Sequence, residues 1–263
     1  MKKKKRIIID IMIVLLIGVM IYSVYTIWDQ SAIYRQEKAI NHRLMTYKPS
    51  AVPDVTGTPE PTVSLNPSPT PQPSPRTNPS IDSAKKKNPD VVGWLTVPGT
   101  PIDYLFVQGP DNDYYLHRDI NQNYLYAGTV FLDFRCARDF SSFNSLLYGH
   151  HMKDGSMFAG LRYFKTKSFF DSHQYGQIYL SDKTYQIEFF AFMIRPAADM
   201  KIYTYELADS ASKTDFFNYI KSNAVNYRDI GLTPEDKLVT LYSCTYEFTD
   251  ARMLLVGKLV EAY

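Results

Sequence analysis

The stretch Val239-Thr240-Leu241-Tyr242-Ser243-Cys244-Thr245-Tyr246-Glu247-Phe248-Thr249-Asp250-Ala251-Arg252 joins a strand pattern, a cysteine, a polar loop and the start of a second strand. Residues 237–241 carry the β-branched and apolar side chains that suit a half-buried strand, and residues 253–260 repeat that character. A thiol at the end of a strand, beside a loop, is placed for exposure rather than burial. To act as a nucleophile it needs positive charge nearby and a group to take its proton. Arg252 opens the returning strand, can face the same mouth, and has donors that suit a developing oxyanion. The spacing fits a strand-edge arginine paired with Glu247 or Asp250 equally well.

A proton partner is offered by Leu146-Leu147-Tyr148-Gly149-His150-His151-Met152, where an apolar strand runs into a glycine and then two histidines. Gly149 permits a sharp turn that exposes the next side chain. A histidine with a near-neutral pKa is the natural acid–base partner of a thiol. Adjacent side chains point in different directions, so one of the pair faces the site. His42, His117 and His173 are scattered and supply no third ligand at metal-binding spacing, so no metal is expected. Acidic clusters with calcium-binding spacing are lacking too. The second cysteine, Cys136 in Phe134-Arg135-Cys136-Ala137, reads as a bystander thiol; a Cys136–Cys244 disulfide would abolish any nucleophile.

The 263 residues are 45% hydrophobic and 14% aromatic, enough for one packed domain with extra segments, and a net charge of +2 argues against a nucleic-acid partner. Residues 1–6 form a basic tail ahead of an apolar run at 7–28, which is as long as a bilayer core requires and is not followed by a small-residue cleavage site. The expectation is an uncleaved transmembrane signal-anchor with the tail cytoplasmic and the catalytic part extracellular. Asp10 lies near its start, and Tyr25 and Trp28 suit the outer interface. Residues 29–47 have helical spacing and read as a juxtamembrane helix. Ten of the sixteen prolines fall between Pro49 and Pro79, mixed with Ser and Thr, so residues 48–80 read as an extended linker.

Residues 81–263 are globular in composition. Strand-like runs lie at 91–97, 102–107, 127–133, 146–148, 178–180 and 184–192, the last two forming a hairpin around Ser181-Asp182-Lys183. Helices are expected at 81–87, 157–164 and 212–222. The pattern predicts a mostly β, mostly antiparallel barrel with a few helices inserted.

Tyr148-Gly149-His150, Thr240-Leu241-Tyr242-Ser243-Cys244 and the downstream Arg252 together resemble the signature of the sortases: His, then T-L-x-[ST]-C, then Arg. Asn88-Pro89-Asp90-Val91-Val92-Gly93-Trp94, Pro98-Gly99-Thr100-Pro101-Ile102-Asp103-Tyr104 and Asp111-Asn112-Asp113-Tyr114-Tyr115-Leu116 are similar to class B members in particular, and the resemblance spans residues 80–263. It implies an eight-stranded sortase-type barrel with peripheral helices, preceded by the transmembrane helix, and a cysteine transpeptidase that needs no cofactor. Cys244 would attack the carbonyl after the Thr of an LPxTG-like C-terminal sorting signal, of the NPxTN or [NS]PxTG type, on surface proteins. The thioester would then pass to an amine of a peptidoglycan precursor, lipid II. His150 matches the family's acid–base histidine, and Arg252 the arginine that stabilises the oxyanion or holds the substrate. Asn112 and Leu116 fall at substrate-contacting positions, and Ser243, beside the nucleophile, is grouped with them. In three respects the chain departs from the pattern: Ser243 stands where Thr is commoner, Tyr242 is bulky, and the Cys-to-Arg loop is short.

Three other readings compete. A pilus-polymerising sortase would carry an N-terminal lid with an Asp-Pro-aromatic motif, which is not found here. A silent barrel acting as a surface binding module would be expected to lose Cys, His or Arg. A papain-like hydrolase places its Cys before its His, the reverse of this chain.

Overall fold

Among the residues described by the computed structural model (2–50, 77–245 and 250–262), nine strands make one sheet. They are β1 Val91–Thr96, β2 Asp103–Val107, β3 Val130–Leu132, β4 Asn144–Tyr148, β5 Tyr175–Tyr179, β6 Thr184–Pro196, β7 Ala224–Tyr227, β8 Leu238–Thr245 and β9 Ala251–Ala262. Eight of these close on themselves in the order β5-β1-β2-β3-β4-β8-β9-β6, because β6 pairs back onto β5. Closure removes the open edges that would otherwise template aggregation. The expected eight-stranded barrel is this ring. The expected hairpin forms too, with Leu180 N–H donating to Lys183 O across the turn between β5 and β6.

β7 is an addition to the expected set. β6 is long, and β5 covers only Thr184 to Glu188; β7 takes the same edge farther on, at Ala191 to Met193. A four-residue strand with one buried side chain is too short to show a periodicity. Two pairings, β2–β3 and β4–β8, are parallel, while the other seven are antiparallel. Parallel neighbours need a long crossover, and the one between β4 and β8 contains most of the helices. These are the α-helices Lys167–Ser172 and Ser210–Asn223 and 3₁₀ turns at Phe158–Lys165 and Met200–Tyr203. Met157-to-Phe164, expected as a helix, is therefore helical but of the tighter kind.

The interior is aromatic: Trp94, Phe106, Phe140, Phe158, Phe189 and Phe192 are all at most 1% exposed. Burying each contributes roughly 2–3 kcal/mol. The Trp94 indole N–H donates to Asp103 Oδ1 at 2.7 Å, and the same carboxylate pairs with Lys48. A short helix, Pro79–Lys87, packs on β1 through Ile81 and Ala84. The N-terminal helix, Lys2–Leu44, forms a unit apart from the barrel. It is long and apolar enough to cross a membrane, and Val14, Leu16, Tyr22 and Trp28 around its circumference are 63–69% exposed. Residues 51–76, most of the proline-rich segment, and 246–249, in the loop after Cys244, lie outside the described residues.

Candidate active site

β4 and β8 run parallel from Asn144↔Leu238 to Tyr148↔Tyr242, so both C-terminal ends emerge at the same rim of the barrel. β4 delivers Gly149 and His150 there, and β8 delivers Ser243 and Cys244. β8 then pairs antiparallel with β9, in a register that sets Cys244 opposite Arg252. Buried Thr240 donates its hydroxyl to Asn144 Oδ1 at 2.9 Å and pins the β4–β8 register. At the rim, Gly149 N–H donates to Tyr242 O at 3.1 Å and the Ser243 hydroxyl donates to Gly149 O at 3.0 Å. Gly149 is needed here for space: a Cβ would sit 2.6 Å from the ring of Phe158. The sharp turn expected of this glycine through conformational freedom is not what it supplies, since its φ is not positive.

His150 is half-buried, and its Nε2 lies 2.9 Å from Leu116 O. A carbonyl only accepts, so Nε2 carries the proton and, in the neutral ring, Nδ1 keeps the lone pair. Burial lowers the His150 pKa below the ordinary histidine value, and His117 nearby pushes the same way against the pull of the Leu116 carbonyl. The imidazole is thus biased toward its neutral form with a basic nitrogen free. His151 pairs its backbone with Met157 instead and does not line the cleft.

The cleft at this rim has a volume of about 650 Å³. The sequence-predicted site residues whose side chains are described, namely Asn112, Leu116, His150, Ser243 and Arg252, all line it. Two of them have their polar atoms engaged within the fold. Asn112 donates to Asp133 Oδ2 (3.0 Å) and accepts from Phe134 N–H (3.1 Å), while Ser243 is committed to Gly149. Arg252 is half-buried and donates to Ala251 O at 3.1 Å. Its cross-strand neighbour on β6, Arg195, is held by Asp199 at 2.7 Å, which offsets the like charge.

Sequence reasoning missed the polar support beneath the cleft. Asp133 is fully buried and receives Arg135 through Nε (2.9 Å) and Nη2 (2.7 Å), the Tyr148 hydroxyl (3.0 Å) and Asn112 (3.0 Å). Burial alone would raise this carboxyl, but the hydrogen bonds from Arg135 and Asn112 hold it below the usual carboxylate range. An acid ending an apolar strand with an arginine two positions on was the available signal. Met200 and Tyr203 also line the cleft, from a segment to which the resemblance gave no role. Cys136 is a free, buried thiol pushed up to about 11 by its burial, which disfavours its reactive thiolate. A cysteine position, an imidazole biased toward its neutral form and a guanidinium at one rim, beside a largely apolar cleft, suit acyl transfer.

No family model matches the chain. It is 35% identical over 178 residues to Sortase B of Listeria monocytogenes, covering 67% of this chain and 72% of that protein. Among solved structures, sortase B of Clostridium perfringens superposes with a TM-score of 0.65 at 31% identity, covering 68% of this chain and 98% of that one. A Staphylococcus aureus sortase B–substrate complex superposes with a TM-score of 0.67 at 28% identity, covering 71% and 87%.

Proposed function

This chain belongs to the class B sortases, the cysteine transpeptidases, and we propose that it cleaves an NPxTN- or [NS]PxTG-type sorting signal after its Thr and passes the surface protein to a peptidoglycan amine. The observation that carries this reading is the β4–β8–β9 register, which brings the backbone positions of His150, Cys244 and Arg252 to one rim. His150 Nδ1 takes the Cys244 proton, and the thiolate attacks the Thr carbonyl carbon. Arg252 donates to the oxyanion. The imidazolium returns the proton to the departing amide nitrogen, the C–N bond breaks, and a thioester remains on Cys244. An incoming amine loses its proton to Nδ1, attacks the thioester carbonyl and releases Cys244 as a thiol. Leu116 and the Asn112 wall shape the cleft for the signal, with Ser243 fixing its floor. The apolar helix serves as a single-pass anchor with its basic tail cytoplasmic, residues 29–47 continuing it and 48–80 acting as a spacer.

The test uses the full chain in detergent micelles, incubated with peptides of both signal types and followed by intact-mass spectrometry. The expected result is an adduct of the peptide's N-terminal fragment that disappears in Cys244→Ala. Turnover retained by Cys244→Ala would overturn the nucleophile, and an unreactive Cys244 thiol would favour the binding-module reading.

A further inference from the structure

We propose that His117, resting on the assignment of His150 as acid–base, is a positioning residue whose stacked ring fixes the plane of the His150 imidazole. The two rings lie 5.2 Å apart at 26°. Tyr126 backs them, 6.4 Å from His150 at 11° and 6.0 Å from His117 at 37°, and Tyr124 lies 6.2 Å from His117. A planar ring needs two constraints to be immobilised: one in its plane and one on its face. Residues 116 and 117 supply them in turn, the Leu116 carbonyl to the Nε2 edge and the His117 ring to the face.

The loop that does this is itself built firmly. His117 Nδ1–H donates to Tyr126 O at 2.9 Å, which orients the stacking ring. Leu125 N–H donates to His117 O (3.1 Å), and the Thr129 hydroxyl donates to Arg118 O (2.8 Å). Asp119 Oδ1 accepts from the N–H groups of Asn121 (2.8 Å) and Asn123 (2.9 Å). His117 is exposed and belongs to no core, so a purely structural role would leave stability and activity alike untouched by its loss. Two imidazoles this close also disfavour being cationic together. Among the described residues, the other titratable groups around His150 are Tyr126 from the same loop, Tyr148 on β4, Tyr242 on β8, and Tyr203, Arg252, Asp113 and Arg135 along the cleft.

The experiment compares wild type with His117→Phe, which keeps a flat ring without charge, and His117→Ala, which keeps neither. The full chain in detergent, with ¹³C-labelled histidine, reports the His150 titration by NMR, and a donor peptide reports kcat and KM against pH. His117→Phe is expected to raise the His150 midpoint by about half a pH unit, the effect of one nearby like charge, with kcat within ~2-fold of wild type. His117→Ala is expected to lower kcat ~10-fold with KM within ~2-fold and Tm unchanged, as loss of positioning requires. Wild-type kcat and midpoint in His117→Ala would overturn the proposal. Turnover surviving in His150→Ala would overturn it also, but through the assignment of His150, and the NMR titration tells the two failures apart because it reads the ring contact without the reaction.

Discussion

Asp133 and Arg135 are unequal partners: the carboxylate is fully buried, while the guanidinium is one-third exposed. Removing the arginine strands a buried anion, so Arg135→Ala is expected to cost about 3 kcal/mol in denaturant unfolding. The pH dependence follows from the sign of the shift. The folded Asp133 pKa is depressed, so its contribution is present above the ordinary carboxylate value of about 4 and is lost as pH falls through the folded value. The stability gap between wild type and Asp133→Asn should therefore close on acidification; a gap constant with pH would mean the carboxylate is not the source. Of the two histidines, His150→Ala should remove nearly all acyl transfer and His151→Ala little, because His150 alone of the pair lines the cleft; equal losses would undo that choice. At this scale His150, Cys244 and Arg252 were legible because each sits in a local pattern. Leu116 O and the His117 ring act on a residue 34 positions or nearly so away, a contact no local pattern contains.

Strand pairing, more than strand existence, was the part hidden from the sequence, the short β7 apart. Apolar runs marked β1, β2, β6 and β9 well, since length and alternation survive in a single chain. That β4 lies beside β8, and parallel to it, is decided by the long crossover and by closure of the ring. The same element relation gives Ser243 its work. Ser243→Ala removes the hydroxyl that ties the end of β8 to Gly149 O and should cost about 1 kcal/mol, with a fall in kcat as the two strand ends loosen. Ser243→Thr, which keeps a hydroxyl, should restore both; if Ala and Thr behave alike in thermal unfolding and turnover, the tether has no role. Gly149 teaches a related lesson, because its reason lies in the Phe158 ring packed against it from the crossover.

The whole chain divides into an apolar helix and a closed barrel, and composition alone separated them. The helix has 43 residues, so at ~1.5 Å per residue it is roughly twice the ~30 Å thickness of a bilayer core. In the barrel, the β4–β8 junction joins Gly149 to Ser243, 94 residues apart. Pairings so distant in sequence close slowly, since loop entropy is lost before contacts reward it. After dilution from denaturant, far-UV circular dichroism should recover ahead of peptide acylation; simultaneous recovery would show that the junction forms early. During synthesis the same separation means that His150 leaves the ribosome long before Cys244. A chain stalled or clipped anywhere ahead of β8 therefore lacks one side of that rim, and on the proposed assignment of Cys244 it carries no acyl transfer.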